Sequence, residues 1–307
     1  MSFDLYFYTR KGETLDPLKV NTYLVENDCV RPEEAAEWYY ENADTEVYFS
    51  FEHEPKSEDP EDIEIFESFP DFDNTGYIFN LNFVRPNFFG LEAFPFVERF
   101  MSEFDLFALD PQSPTEPDKP GRCTADEYYE EWAEANLKVC SEYFDAMGLI
   151  HFPLERSKEY WRYNFSRKAN QERLGDEYFV PSLLLAIHET SGEPVTATTW
   201  TEHIPNVFPP ADYFILNRVQ KSLFRTREES GINSKEKFLA TFGKYLEKFE
   251  YDNCHIIHPE MAERAAKDFN AIEFDAPLEG FFAHGIDTSK LSNAERSPEQ
   301  KNLPDDQ

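Results

Sequence analysis

Three segments among the first 110 residues alternate large apolar side chains with polar ones, the two-residue period of a half-buried β-strand, and a fourth, short segment is predicted to be a strand as well. In the first of these segments, Phe3, Leu5 and Phe7 fall on one side of an extended chain. The pattern therefore predicts strands that each bury one face. The four predicted strands cover residues 2–10, 45–54, 75–84 and 105–110.

Two segments between these strands have the spacing of amphipathic helices instead. Residues 15–27 begin with Asp16 and Pro17, a residue pair that favours a helix start. Residues 90–104 predict a second helix, and Pro95, which lacks an N–H, should place its start near that position. The apolar side of the second helix consists of Phe94, Val97, Phe100 and Met101.

The order β-α-β-β-α-β is that of a ferredoxin-like sandwich, in which two helices cover one face of an antiparallel sheet. We therefore predict an α+β protein whose first domain, residues 1–110, has this fold. Residues 111–123 contain four prolines and a glycine among polar side chains and predict a linker. Residues 124–288 would form a second α+β domain, and residues 289–307 a polar tail.

The second domain has its own element signals. Thr124 and Glu127 match a capping box at the start of a helix over 124–148, and Ser234 matches the cap of a helix over 234–250. Phe238, Phe242, Tyr245 and Phe249 form the apolar side predicted for that second helix. The remaining predicted elements are a hairpin over 177–200, a strand over 212–219, and a strand followed by a helix over 253–269.

Charge changes the functional picture. The 307 residues include 61 acidic and 29 basic side chains, a net charge of −32. Such a field repels nucleic-acid phosphates and anionic lipids but steers basic macromolecules inward, so we expect a basic protein partner, no nucleic acid and no membrane. General acidity that serves solubility is the alternative. The charge is uneven, since residues 1–122 carry 28 acidic and 9 basic side chains.

Residues 52–73 concentrate this charge, with ten acidic side chains against one lysine. A disordered tail would lack large apolar residues and a core segment would lack carboxylates, yet this run has both. A connection of this length between strands is uncommon unless it is functional or disordered. Its rings would cap the sheet, dock on the second domain, or bind another protein. The apolar members are Ile63, Ile65, Phe66, Phe69 and Phe72.

Signals for catalysis are weak. His255 and His258 are the nearest approach to a metal site, but residues three apart on a strand point to opposite faces, so we predict no metal and no cofactor. His188 and His203 each have a glutamate nearby, as an acid–base pair would require. The sequence contains no GxSxG, HExxH, Walker A or GxGxxG motif, which favours a protein that is not an enzyme.

Other features favour a cytoplasmic protein with intramolecular charge pairing. There is no run of about 18 apolar residues and no signal-peptide pattern at the N-terminus. The four cysteines form no CxxC pair, as expected for reduced thiols. Residues 166–179 and 218–227 are locally basic and could seat part of the acidic run within the molecule. The cysteines are Cys29, Cys123, Cys140 and Cys254.

Four segments of the chain resemble uncharacterised bacterial proteins with a DLYF-type N-terminus. The segments are SFDLYFYTRKG, WYYENADTEVYFSFE, GYIFNLNFVRPNFFGLEAFPFVE and FVPSLLLAIHETSGEPVTATTWTEHIP. Those proteins are similar to the immunity proteins of polymorphic toxins. The resemblance spans most of residues 1–220 and contains no catalytic motif. It implies a protein that binds and neutralises a cognate toxin.

The resemblance and the charge lead to one hypothesis. An acidic immunity protein can occlude the basic active-site surface of a toxin, with carboxylates steering the approach and aromatic rings supplying buried contacts. A metal-dependent or carboxylate/His hydrolase, and an adaptor without an inhibitory role, are the alternatives. The predicted partner-binding residues are Tyr39, Tyr40, Glu58, Asp59, Glu61, Asp62, Glu64, Phe66, Glu67, Phe69, Asp71, Phe72 and Asp73.

Overall fold

Contacts divide the computed structural model into two units. The N-terminal unit comprises Met1–Leu154 together with Thr288–Gln307, and the central unit comprises Glu155–Asp287. The structure describes residues 1–33, 35–54, 57–112, 119–222, 225–249 and 253–296. Within these ranges, only the backbone is described for Pro60, Asp62 and those of residues 219–227 that fall in them. The protein mixes helices and several sheets and is α+β overall.

This division differs from the predicted boundary at residues 111–123, of which 113–118 lie outside the described residues. The helix after the proline-rich stretch belongs to the N-terminal unit because it packs on the preceding helix, where Phe94 contacts Tyr128 and Trp132 at ring-centroid distances of 6.0 and 6.2 Å. Proline content predicts an irregular connection, but it does not show which unit the next helix joins. The aromatic contacts between this helix and the preceding one place it in the N-terminal unit.

Eleven elements precede residue 154. The strands are β1 (Ser2–Arg10), β2 (Cys29–Val30), β3 (Glu37–Asn42), β4 (Val47–His53), β5 (Phe72–Asn82), β6 (Phe107–Leu109) and β7 (Ile150–His151). The helices are α1 (Pro17–Glu26), α2 (Pro60–Phe66), α3 (Phe88–Glu103) and α4 (Ala125–Tyr143). All six elements predicted for the first 110 residues are present, while β2, β3 and α2 are additional.

The main sheet of the N-terminal unit has six strands in the order β2-β3-β4-β5-β1-β6, and all of its pairs are antiparallel. Its core lies between one face of this sheet and the helices α1 and α3. The ring of Phe100 on α3 lies 5.2 Å from that of Phe7 and 4.9 Å from that of Phe51, and Tyr23 on α1 packs against Phe100. Both helices therefore cover the same face of the sheet.

Helix α3 begins seven residues before Pro95, so the predicted start at that proline was wrong. Proline inside a helix costs about 3 kcal/mol because it removes one hydrogen bond and crowds the preceding turn. The first two turns bury Phe88, Phe89 and Phe94 completely, and each such side chain contributes about 1.5–3 kcal/mol. Aromatic burial therefore exceeds the cost of the proline.

The central unit begins with helix α5 (Leu154–Leu174). Its strands are β8 (Leu184–His188), β9 (Pro194–Thr201), β10 (Asn206–Phe208), β11 (Tyr213–Ser222), β12 (Arg225–Ser234), β13 (Glu247–Lys248), β14 (His255–Ile257), β15 (Ala276–Pro277) and β16 (Phe282–Gly285). The helices are α6 (Lys235–Phe242) and α7 (Pro259–Ala271). One six-stranded sheet has the order β15-β12-β11-β9-β8-β16, and a smaller one the order β10-β14-β13.

Arg218 joins β11 to the end of α7. Its guanidinium group donates hydrogen bonds to the backbone carbonyls of Phe269 (3.3 Å), Asn270 (3.1 Å) and Ile272 (3.0 Å). A cation at this position satisfies helix carbonyls that lack intrahelical partners. One member of the predicted basic island at 218–227 is therefore an internal cap, and the side chains of the others lie outside the described residues.

Two predicted C-terminal segments differ from the structure. The helix predicted over 234–250 is capped by Ser234 as expected, but α6 ends at Phe242 and gives way to a 3₁₀ turn over Gly243–Tyr245, so Phe249 is not on it. The predicted tail at 289–307 is structured over its first part, where the strand β17 (Leu291–Ser292) pairs in parallel with β7. Residues 297–307 lie outside the described part. No helix in the described ranges is long and apolar enough to cross a bilayer.

Candidate functional site: an acidic strap and the sheet face beside it

The acidic run over 52–73 contains a short helix that its composition did not predict. Asp59 caps α2, because its carboxylate accepts a hydrogen bond from the backbone N–H of Glu61 at 2.9 Å. A capped turn with carboxylates at its N-terminus is favoured by the helix dipole. We call residues 58–73 the acidic strap.

Two aromatic contacts fix the acidic strap to the sheet face opposite the core. Phe66 stacks on Tyr6 with ring centroids 4.3 Å apart, and Phe69 meets Tyr8 edge-to-face at 5.6 Å. The hydroxyl of Tyr8 donates a hydrogen bond to the backbone carbonyl of Phe66 at 3.1 Å. Phe66 and Phe69 therefore hold the strap to its own sheet, so most of each ring is unavailable to a partner.

The end of the strap is also internal. Phe72 is the first residue of β5 and its ring lies 5.0 Å from that of Phe107. The carboxylate of Asp73 accepts hydrogen bonds from the Nζ of Lys11 at 2.5 Å and from the backbone N–H of Gly12 at 2.7 Å. These two predicted binding residues therefore stabilise the start of β5.

The outward side of the strap keeps both kinds of side chain expected of a binding surface. Ile63 and Ile65 are 44% and 50% exposed, which is unusual for isoleucine in a folded unit. Because they are two residues apart on a helix, Ile63 and Ile65 lie on different sides of α2, and acidic residues flank each of them in the sequence. The exposed acidic side chains are Glu58, Asp59, Glu61, Glu64 and Asp71, with Glu67 half-buried and the side chain of Asp62 outside the described residues.

The two predicted tyrosines of β3 have different surroundings. Tyr40 stacks on Phe49 at 4.5 Å and its hydroxyl donates to the buried carboxylate of Glu92 at 2.9 Å, so it belongs to the core and not to a binding surface. Tyr39 is 43% exposed. A hydrogen bond to Glu37, together with partial burial, raises the pKa of Tyr39 to about 12.

Carboxylates crowd the sheet face on which Tyr39 lies. Glu37 and Glu52 are directly opposite each other on β3 and β4. Burial raises the pKa of Glu52, and the charges of Glu37, Glu54 and Asp4 raise it further. Burial also raises the pKa of Asp4 on β1. Three carboxylates, those of Asp4, Glu37 and Glu52, therefore share this face of the sheet.

The histidines do not form the metal site considered from the sequence. Among the described residues no three ligating side chains converge, around His255, His258 or elsewhere. His258 instead lies between Tyr178 and Glu247, with Nδ1 2.8 Å from the tyrosine hydroxyl and Nε2 3.5 Å from a carboxylate oxygen. Burial lowers the pKa of His255.

The other two histidines contact nearby polar groups. His188 Nδ1 lies 3.2 Å from the Ser191 hydroxyl within its own turn, and the ring of His203 lies between Glu202 and Glu263 at 3.3 and 3.2 Å. Three clefts of 340, 320 and 310 Å³ are lined by described residues, and no histidine lines any of them. Histidine catalysis therefore has no cleft to act in among these three.

Sequence reasoning missed Tyr6, Tyr8, Glu37 and Glu52. A signal for the first two was present, since the alternation that buries Phe7 on the core side of β1 leaves both tyrosines on the other side. Two aromatic residues on the solvent side of a strand predict that something packs there. Glu37 and Glu52 became recognisable only with the register of β3 against β4, which the sequence did not reveal.

Comparison with protein-family models, with curated proteins and with solved structures finds no match to this chain. Function must therefore be inferred from the geometry of the strap and the sheet. Both features combine exposed apolar or aromatic groups with an excess of carboxylates, a combination that suits a basic protein partner.

Proposed function

We propose that the protein is a stoichiometric inhibitor, an immunity protein that binds a cognate bacterial toxin and occludes its basic active-site surface. The acidic strap is the proposed contact region, with its carboxylates steering the toxin and its isoleucines packing against it. The protein performs no chemistry in this proposal and needs no cofactor.

One observation carries the proposal. The strap is held to its own sheet by Phe66 and Phe69 while Ile63 and Ile65 remain exposed among carboxylates. Fixing the backbone before binding lowers the entropy that association must overcome. Exposed apolar side chains next to charged ones are also what interfaces use, since the apolar groups supply affinity and the charges supply rate.

We further propose that the N-terminal unit is a ferredoxin-like sandwich extended by the strands β2 and β3. The order β4-β5-β1-β6, antiparallel throughout, supports this assignment, as does the packing of α1 and α3 on one face. On this arrangement the opposite face is free to carry the strap.

The decisive experiment uses the polypeptide encoded by the neighbouring gene, since an immunity gene normally lies beside that of its toxin. Co-expression with this protein should restore growth, and the purified pair should bind in a 1:1 complex. Reversing Glu61, Glu64 and Glu67 to lysine should slow association about tenfold or more at low salt and reduce its salt dependence.

Reversing Glu172, Glu189 and Glu193 to lysine is the matched control, because these exposed residues of the central unit give the same change in net charge. If both triple variants associate equally slowly, net charge alone steers the partner and the strap is not the contact region. A second pair of variants, Ile63→Ser and Ile65→Ser, should raise the dissociation rate without changing the association rate.

The same purified protein can be used to distinguish this proposal from two other functions, a hydrolase and an adaptor. His258 lies between the carboxylate of Glu247 and the hydroxyl of Tyr178, and this contact makes a hydrolase the second candidate, although no histidine lines any of the three described clefts. Hydrolysis of ester or phosphoester substrates that is abolished by His258→Ala would establish it. An adaptor would bind a partner in the same way but would not restore growth.

A further inference from the structure

Like charges stand directly opposite each other on the main sheet of the N-terminal unit. Glu37 on β3 pairs in register with Glu52 on β4, and such cross-strand pairs are destabilising. Among the described residues, no lysine or arginine forms an ion pair with Glu37, Glu52 or Asp4. Asp4 has other partners, because its carboxylate accepts hydrogen bonds from Asn80 (2.6 Å), Ser2 (3.2 Å) and Gln112 (3.3 Å) and the charge of the N-terminal ammonium acts on it. The repulsion between Glu37 and Glu52 is the one that no described lysine or arginine relieves.

The repulsive pair lies beside an exposed aromatic ring. Tyr39 occupies the position between Glu37 and Glu41 on β3 and is paired with Ser50 on β4, next to Glu52. In the next strands of the same row, Ser50 pairs with Asn80 and Asn80 with Asp4. Small polar residues thus separate the tyrosine from Asp4, which leaves a shallow surface with negative charge on both sides.

The acidic strap leaves this area uncovered. Its rings pack on Tyr6 and Tyr8 of β1, whereas Tyr39 remains 43% exposed and Glu37 and Glu52 are partly exposed. We define the acidic sheet face as Asp4, Glu37, Tyr39 and Glu52. Its side chains are three carboxylates and one exposed aromatic ring, a set complementary to guanidinium and ammonium groups, which pair with carboxylates and stack on aromatic rings.

We propose that the acidic sheet face seats arginine or lysine side chains from an extended basic segment of the protein partner. A cation between Glu37 and Glu52 would convert the repulsion into attraction on both sides, and an arginine could also stack on Tyr39. This proposal rests on the proposed function and adds to it a second contact surface and the chemical class of the group that binds there. Arginine is the preferred group because its planar fork can bond both carboxylates.

The test uses the full-length protein labelled with ¹⁵N and a short peptide of alternating Gly, Ser and Arg, with an arginine-free Gly/Ser peptide as the reference. We expect chemical-shift changes at the amides of β3 and β4, centred on Glu37, Tyr39 and Glu52. Glu52→Gln should weaken binding of the arginine peptide about two- to fivefold at low salt. Glu26→Gln is the matched control, since Glu26 is exposed on α1, on the other side of the sheet.

The outcomes separate the two proposals. Equal weakening by Glu52→Gln and Glu26→Gln, or shifts confined to the acidic strap, would overturn the sheet-face proposal and leave the strap as the binding surface. Chemical-shift changes on β3 and β4, together with unchanged association of the strap variants with the toxin, would mean that the sheet face is a contact surface and the strap is not. Tyr39→Leu adds a further check, because it should weaken the arginine peptide while preserving the negative charge. A lysine peptide that bound more tightly than the arginine peptide would contradict the preference for arginine.

Discussion

At several points where helices and strands of this protein meet, a single polar side chain fixes the backbone conformation of a neighbouring segment by hydrogen bonds. The clearest case is Val84, a β-branched residue in the left-handed region, with φ of +61°. Asn136 on α4 holds it there, since its Oδ1 accepts from the N–H of Val84 at 2.8 Å and its Nδ2 donates to the carbonyl of Arg85 at 2.7 Å. Such a conformation costs about 1–3 kcal/mol and persists only when neighbouring groups enforce it.

Asn136→Ala should therefore lower the free energy of unfolding by about 2–4 kcal/mol, because two buried hydrogen bonds are lost and the strained backbone loses its support. Asn164 is the matched control. It also makes two buried hydrogen bonds to the backbone, both with Leu183, which has an ordinary φ. Urea denaturation should show that Asn164→Ala costs about 1 kcal/mol less. Equal costs would mean that the strain at Val84 is not supported by Asn136.

Sequence reasoning could have found Asn136, because it lies four residues after Trp132 on the apolar side of the predicted helix. A polar residue on a buried stripe needs a partner, and in helix pairs that partner is often a neighbouring backbone. The identity of the partner was out of reach, since nothing in the sequence indicated that Val84 adopts a positive φ.

Elements were predicted well where a local pattern agrees with the packing, and poorly where packing prevails. Strands β1, β4 and β5 follow their alternation, and α4 follows its capping box. Helix α2 was missed because its carboxylates suggested a loop, although Asp59 is an ordinary N-cap residue. Strand β3 was missed because the apolar Tyr39 lies on the same face as Glu37 and Glu41 and obscures the alternation, whereas pairing with β2 and β4 stabilises the strand.

The pairing of α3 with α4 depends on a glycine. An added Cβ at Gly90 would lie 2.8 Å from the ring of Trp132, which is itself fully buried. A glycine at this position lets the indole approach the helix backbone, and so lets the two helices come close. Cores respond to extra volume by shifting side chains off their preferred rotamers, at a cost of about 1–3 kcal/mol.

Gly90→Ala should therefore destabilise the N-terminal unit by about 1–3 kcal/mol, despite the better helix propensity of alanine. Gly243→Ala is the control, because Gly243 has a negative φ and open space around its Cβ position. That variant should be neutral or stabilising in thermal denaturation. If Gly90→Ala raised the melting temperature as well, the close approach of Trp132 to α3 would not exist.

At the scale of the whole molecule, the net charge of −32 is both the strongest sequence signal and the least specific one. It predicts a basic partner in preference to nucleic acid or an anionic membrane, and this prediction requires only composition. It could not locate the binding surface, because that depends on which carboxylates come together after folding. Three predicted partner-binding residues, Tyr40, Phe72 and Asp73, show why composition is not enough. Each lies in an acidic or aromatic stretch of sequence, yet each makes contacts within its own unit.

The same crowding of carboxylates should make stability depend on pH in a defined direction. Burial, aided by neighbouring charges, raises the pKa of Glu52, and burial raises that of Asp4, so the folded state binds protons at a higher pH than the unfolded state does. The contribution of such groups to stability falls as pH rises through the raised pKa. Hydrogen bonds from Arg122 and Lys244 instead lower the pKa of Asp105 and Asp268, and their contributions are lost only below the ordinary carboxyl range, below about pH 4.

Glu52→Gln isolates this effect, because the comparison with the wild-type protein cancels every other titrating group. At about pH 7 the variant should melt about 1–2 °C higher, since the repulsion from Glu37 is gone. As the pH falls to about 4.5 the advantage should become smaller, because the raised pKa of Glu52 lets the folded wild-type protein take up a proton there more readily than the unfolded chain does. Glu26→Gln should show no comparable dependence on pH. A melting-temperature difference that stayed constant across this pH range would mean that the variant gains stability from packing of its glutamine amide. The acidic sheet face would then carry no electrostatic repulsion, and a basic partner would have none to relieve there.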